Sequence, residues 1–327
     1  LHSFPTRRSS DLIVIGTKNG SDGDLTMTVN VGTSSDETYT KGGENSRTKF
    51  CCGPKAINCD NSVEINSGTI NAKVYDTGIK ATDVTVNGGK ITIDAKYDQG
   101  IHGVQSLTIN DGDIYVSDSY EAFEGVTITM NGGVTSIYSS DDGWNASCSS
   151  SGTGTPHIYI NGGYHYVNVG SGDTDCLDSN GGMTFTGGVL ITEGGSTLDG
   201  GDGNYSFTYK GGKLMLFGSG VENAPSGGTQ TSGAAGSANT LYTAASNGTV
   251  LSAFTTAKSS NNLYYFYNSS VSLTSGGSLS NTTKTINFRW TDNSVLTYYE
   301  GGSISGGSAL GAASSSGGFP GGGGGRR

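Results

Sequence analysis

The chain has 327 residues and a formal net charge of −10, with a pI near 4.7. Its 56 glycines follow no triplet period, which excludes a collagen-like rod, and Val, Ile, Thr and Tyr dominate the remaining positions, which favours strands. The acidic balance argues against a nucleic-acid partner, and no apolar run approaches the ~18 residues of a membrane span.

Leu1 to Leu12 resembles the conceptual translation of a sequencing adapter, so residues 1–12 are set aside from the fold. Residues 13–61 read as a β-rich entry: a strand at Leu25–Val31, then a polar loop from Thr33 to Thr48. From Ser62 to Asn223 the chain repeats itself. Asn66-Ser67-Gly68, Asn87-Gly88-Gly89, Asn110-Asp111-Gly112 and Asn131-Gly132-Gly133 recur at spacings of 21, 23 and 21. Asn161-Gly162-Gly163, Thr186-Gly187-Gly188 and Lys210-Gly211-Gly212 continue the series at 30, 25 and 24. A period in this range means a solenoid, in which each repeat buries its apolar face only by stacking on its neighbours.

Each repeat carries three short strand segments of alternating pattern, as in Val84–Val86, Lys90–Ala95 and Gly100–Gly103. Three segments per coil with no helical stretch predict an all-β, right-handed parallel β-helix. Stacked Asn87, Asn110 and Asn131 predict an amide ladder. Residues 224–240 read as a Gly/Ser/Ala/Thr linker. Residues 241–300 read as a β-rich cap or a small β module closing the open end of the helix. Residues 301–327 read as a disordered Gly/Ser tail.

The five cysteines, Cys51, Cys52, Cys59, Cys148 and Cys176, match no zinc spacing. Cys51 or Cys52 with Cys59, and Cys148 with Cys176, are candidate bridges; buried free thiols are the alternative.

One corner of the coil collects acid. Asp76, Asp98 and Asp141 align, and Glu121, Asp142 and Asp175 fall one position later. Glu124, Asp178, Asp199 and Asp202 follow. Stacked coils lie about 4.8 Å apart. Two carboxylates at that distance repel by roughly 3 to 4 kcal/mol at an effective dielectric of 20. Protonation relieves this, and so does calcium, which takes six to eight oxygen ligands including turn carbonyls. Solvated turn aspartates are the plainer alternative.

Beside the acids stand Tyr75, Tyr97, Tyr120 and Trp144, which offer aromatic faces to sugar rings. Lys80 and His102 share one column and suit a uronate carboxylate. Trp144 also aligns with Ile79, Ile101 and Phe123, which is a core pattern.

The repeats Tyr97-Asp98-Gln99-Gly100-Ile101-His102 and Ser140-Asp141-Asp142-Gly143-Trp144-Asn145-Ala146 resemble the clostridial β-helix carbohydrate-binding family. The resemblance covers about Ala56 to Val221 and extends through Asn247 to Lys258. It implies a calcium-binding β-helix similar in shape to pectate lyases, secreted or surface-located, that binds cellulose or acidic sugars. By resemblance the metal role falls on Asp76, Asp98, Asp141, Asp142, Asp175 and Asp178. The chain departs from the pattern at Tyr120 and Thr174, which replace acids, and at Cys176, which stands in the Gly143 column.

The expectation is therefore a monomeric, non-catalytic polysaccharide-binding protein with calcium as its cofactor, whose signal segment lies upstream. The runner-up is a calcium-dependent pectate lyase, in which a Lys near the metal removes a proton. No arginine occurs from Thr48 to Phe288, which weighs against that chemistry. A surface adhesin is the third reading.

Overall fold

Alternating apolar and polar residues can bury one edge of every strand only if each coil lies on the next. The computed structural model describes residues 11–18, 25–30, 54–148, 152–172, 174–200, 205–292 and 294–314, and it has that arrangement. All described elements are strands, and no helix is long and apolar enough to cross a membrane.

Two parallel sheets wrap the solenoid. The first runs through Leu12–Ile15, Ser62–Ile65, Ile79–Val86, Ile101–Ile109 and Phe123–Met130. It then divides into two rows, Trp144–Ala146 with Asp175–Ser179 and Ser196–Gly200, and His157–Ile160 with Gly182–Phe185 and Phe207–Tyr209. The second stacks Thr26–Asn30, Thr69–Val74, Lys90–Ala95, Asp113–Ser119, Val134–Ser139, Tyr164–Val169, Val189–Glu193 and Lys213–Gly218. The structure is thus the expected parallel β-helix. In its middle coils, two of the three expected segments fuse into one strand bent at a bulge, between Ala81 and Asp83 and between Gly125 and Thr127. At Gly103, inside this bend, an added Cβ would sit 2.0 Å from the Ser106 carbonyl oxygen. Only glycine permits that approach.

The turns stack as the repeat demands. Asn87, Asn110, Asn131 and Asn161 each donate from Nδ2 to Oδ1 of the asparagine one coil earlier, at 2.8–2.9 Å, starting from Asn66. Thr186 ends the ladder by donating to Asn161. Inside, Ile65, Val86, Ile109, Met130, Ile160 and Phe185 form a fully buried column.

The C-terminal region departs from the expected end cap. Asn262–Tyr267 does close the second sheet, pairing antiparallel to Lys213–Gly218. Most of the rest forms a six-stranded antiparallel sheet laid against the outer face of the second sheet, and Ser278–Ser280 pairs with Ser303–Ser305 in a separate two-stranded sheet. A second core fills the space between, with Tyr166, Ile191, Met215 and Phe217 on one side and Tyr242, Phe254, Phe288 and Tyr298 on the other. Arg289 reaches Asp113 and Thr92, and Tyr115 Oη donates to the Trp290 carbonyl. Glu193, buried, accepts from Tyr166 Oη and from the Ala257 and Lys258 amides. The outer face of the second sheet is thereby covered over much of its length.

The expected linker contains a strand, Thr229–Ala234, paired with Asn262–Tyr267. The expected tail contributes Ser303–Ser305 and Ser308–Ala309. In both cases glycine builds tight turns instead of loosening the chain: Gly227-Gly228, Gly301-Gly302 and Gly306-Gly307 all have φ between 71° and 85°. Asp11 and Leu12, set aside in the sequence, join the first coil, with Ser62 N donating to Asp11 O. Cys59, Cys148 and Cys176 are free thiols, so the Cys148–Cys176 bridge does not form. Cys51, Cys52 and the Thr33–Thr48 loop lie outside the described residues.

Candidate functional site

The corner entering the first sheet is built by register. Asn58, Lys80, His102, Glu124, Asn145, Asp178 and Asp199 are successive parallel partners along one column. Just before it in sequence, Tyr120 N donates to Asp98 O and Asp141 N to Tyr120 O, while Gly100 N donates to Glu121 O and Gly143 N to Asp175 O. These bonds stack the acids as the repeat predicts. Charge changes sign along the stack. Lysines stand at the N-terminal coils and carboxylates at the C-terminal ones.

At the N-terminal end Asp76 is buried, and Lys55 Nζ lies 2.6 Å from its Oδ2. The Thr77 amide and hydroxyl donate to Oδ1 at 2.6 and 3.0 Å. Burial pulls the Asp76 carboxyl upward, but the Lys55 and Thr77 hydrogen bonds outweigh it and hold it below its ordinary range. Asp98 behaves oppositely. Burial, reinforced by Asp76, pushes it up to about 7. This end carries a built-in ammonium, Lys55.

The C-terminal end gathers more carboxylates. Glu121, Asp141 and Asp142 bring carboxylate oxygens within 4.8 Å of one another. Asn145 Nδ2 donates to Glu121 Oε1 at 3.1 Å, and Asp175 N donates to Asp142 Oδ1 at 3.0 Å. Burial pushes Asp175 and Asp178 up to about 8, with Asp142 and Asp199 adding their charge. Among the described residues no lysine or arginine pairs with Asp141, Asp175 or Asp178. The Oδ1 atoms of Asp178 and Asn145 are buried without a hydrogen-bond partner. They are neighbours in the same column, one coil apart. An all-oxygen set with unpartnered buried oxygens fits a hard cation such as Ca²⁺. Asp202 lies outside the described residues.

The expected sugar contacts separate into two groups. Tyr75 and Tyr97 are half-buried and stack face to face, with centroids 5.3 Å apart and planes 4° from parallel. Lys96 Nζ lies 5.5 Å from the Tyr97 ring centroid. Tyr120 is half-buried on the next coil. Lys80 is half-buried and forms no ion pair among the described residues. Two residues are corrected. Trp144 is fully buried, between Phe123 at 5.9 Å and His165 at 5.4 Å, so it packs the core. His102 is buried with Nδ1 3.6 Å from Glu124 Oε2. Burial, with Lys80 and Lys55 adding, pushes its imidazole down to about 3, so it is neutral and offers no charge to a uronate.

No family model matches the chain, and no curated protein or solved structure is significantly similar to it.

Sequence reasoning missed Lys55. The signal was present, because the Ile57–Ile79 register places Lys55 one coil before Thr77, beside Asp76.

Proposed function

We propose that this protein is a calcium-stabilised, non-catalytic polysaccharide-binding β-helix that works outside the cell. The observation that carries the reading is the C-terminal end of the acidic corner. Glu121, Asp141 and Asp142 converge there, and the buried oxygens of Asp178 and Asn145 face no donor. Asp141, Asp142 and Glu121 would hold one cation, and Asp175 and Asp178 support the adjoining position. Bound calcium would neutralise these carboxylates and bridge them to an anionic sugar.

The remaining residues supply recognition. The parallel Tyr75–Tyr97 pair presents aromatic faces at sugar-ring scale next to the corner. Lys80, on the same ridge, suits a uronate carboxylate. Cellulose and polygalacturonate are the two polymers this combination favours. Proton abstraction is poorly served, since Lys55 is committed to Asp76 and His102 is buried with its imidazole pushed down to about 3, which makes it a weak base. The test is a pull-down on cellulose and on pectate, with calcium and with EDTA. Retention on pectate that disappears with chelator supports the reading; no retention on either polymer removes it.

A further inference from the structure

A second candidate site lies on the opposite side of the coil, where the glycine turns meet the C-terminal sheet. A cleft of about 410 Å³ opens there, floored by the turn glycines of successive coils, including Gly163 and Gly188. Its walls are Tyr164 and Lys213 from the solenoid, and Tyr267, Asn268 and Glu300 from the C-terminal region. Clefts between two packed units, with aromatic walls and a few convergent polar groups, are the usual form of a ligand site.

The local charge runs against that of the whole molecule. Lys213 Nζ lies 2.9 Å from Glu300 Oε2, and the other oxygen, Oε1, accepts from Tyr298 Oη at 2.9 Å. Lys284 is the direct cross-strand partner of Glu300, and its exposed ammonium sits 4.7 Å from the Tyr164 ring centroid. Lys213 in the lining and Lys284 at the rim thus flank Glu300, the one carboxylate among the described lining residues. The cleft carries surplus positive charge on a chain of net charge −10. Lys284 is exposed and bonded to the Tyr164 side chain, and its remaining donors are open to an anion from outside. The tyrosine faces suit the C–H face of a polar ring, and the Asn268 amide suits its hydroxyls. Glycine lets a ligand approach the backbone closely.

We infer that this cleft binds a uronate residue of an acidic glycan without calcium, holding its carboxylate at Lys284 and Lys213 and its ring against Tyr164 and Tyr267. The site is independent of the acidic corner. There a uronate meets carboxylates and needs a bridging cation; here it meets ammonium groups directly.

The experiment is calorimetric titration of trigalacturonate into the full chain in EDTA at low salt, with cellotriose as the uncharged control. Trigalacturonate is expected to bind and cellotriose to bind more weakly. Lys284→Gln should weaken trigalacturonate roughly tenfold, the scale of one charge-assisted hydrogen bond. Glu300→Gln should tighten it, because the competing carboxylate is gone while Tyr298 keeps an acceptor. A merely structural role for Glu300 predicts no gain in affinity. Thermal melting of each variant checks that it folds, and Lys284 is exposed enough for its substitution to be tolerated. No binding in EDTA, or affinity unchanged in both variants, overturns the cleft. Calcium-dependent retention on pectate by the Lys284→Gln protein would still leave the corner reading intact, so the two fail separately.

Discussion

Lys55 reaches forward across one coil and places its Nζ 2.6 Å from Oδ2 of Asp76, both side chains being largely shielded from water. This pair gives the first coils of the acidic corner their own counter-charge. The first coils have a built-in cation, whereas among the described residues no lysine or arginine pairs with Asp141, Asp175 or Asp178. Lys55→Met leaves the buried Asp76 carboxylate without its counter-charge and should destabilise the fold by about 3 kcal/mol. The double variant with Asp76→Asn should recover most of that loss. Urea unfolding measures both, and a single-variant cost below experimental error would show the pair to be incidental.

The fold was largely legible because its two strongest signals are local. The Asn-Gly-Gly turns need glycine at positive φ, seen at Gly89 and Gly133, and the asparagines before them need a partner one coil away. Both show directly as a period. The site was less legible because burial is not written in a turn. Trp144 and His102 stand beside the acids in sequence, yet strand alternation sends Trp144 inward, and the packed corner covers His102. Lys55 precedes the obvious repeats, so its partner emerged only with the register. The C-terminal region has no period, and composition misled there. Glycine and serine at Thr229–Ala234 and Ser303–Ser305 form paired strands.

Stability without calcium should depend on pH in a direction set by Asp175 and Asp178. Their folded carboxyls are raised to about 8, while unfolded aspartate titrates near 4. The folded state therefore holds protons that the unfolded state has released. Stability from these groups is fully present below about 4 and is lost as pH rises through about 8. The melting temperature in EDTA should fall between these limits, and saturating calcium should flatten the fall. A midpoint in EDTA that rises over the same window contradicts the assignment.

Calcium should raise the midpoint of thermal unfolding at neutral pH, since a ligand that binds only the folded state stabilises it by mass action. Asp141→Asn with Asp142→Asn should abolish the increase. Lys55→Met should retain it, because Asp76 belongs to the other end of the corner. Equal midpoints in calcium and EDTA, with no metal found by elemental analysis, would remove the cation from the account.

Trp144 and Tyr97 should respond differently to truncation, although both are aromatic neighbours of the acids. Trp144→Ala empties a fully buried position between Phe123 and His165 and should cost about 3–5 kcal/mol. Tyr97→Ala removes a half-buried ring from a stacked pair, so it should cost little stability but weaken retention on polysaccharide. Denaturant curves and pull-downs on the same preparations separate the two effects. Unchanged retention by folded Tyr97→Ala would take the Tyr75–Tyr97 pair out of the binding surface.

The protein should bind polygalacturonate without cleaving it. A lyase needs a basic group free to take a proton beside the metal. The C-terminal coils, where the carboxylates converge, present no lysine or arginine paired with Asp141, Asp175 or Asp178 among the described residues. Lys80 forms no ion pair among the described residues, but it stands three coils before Asn145 in the column, at the end where Lys55 pairs with Asp76. Absorbance of unsaturated product from polygalacturonate, followed with calcium across alkaline pH, is expected to stay at background. Sustained product that disappears in Lys80→Ala or Lys96→Ala would instead make the acidic corner a catalytic one.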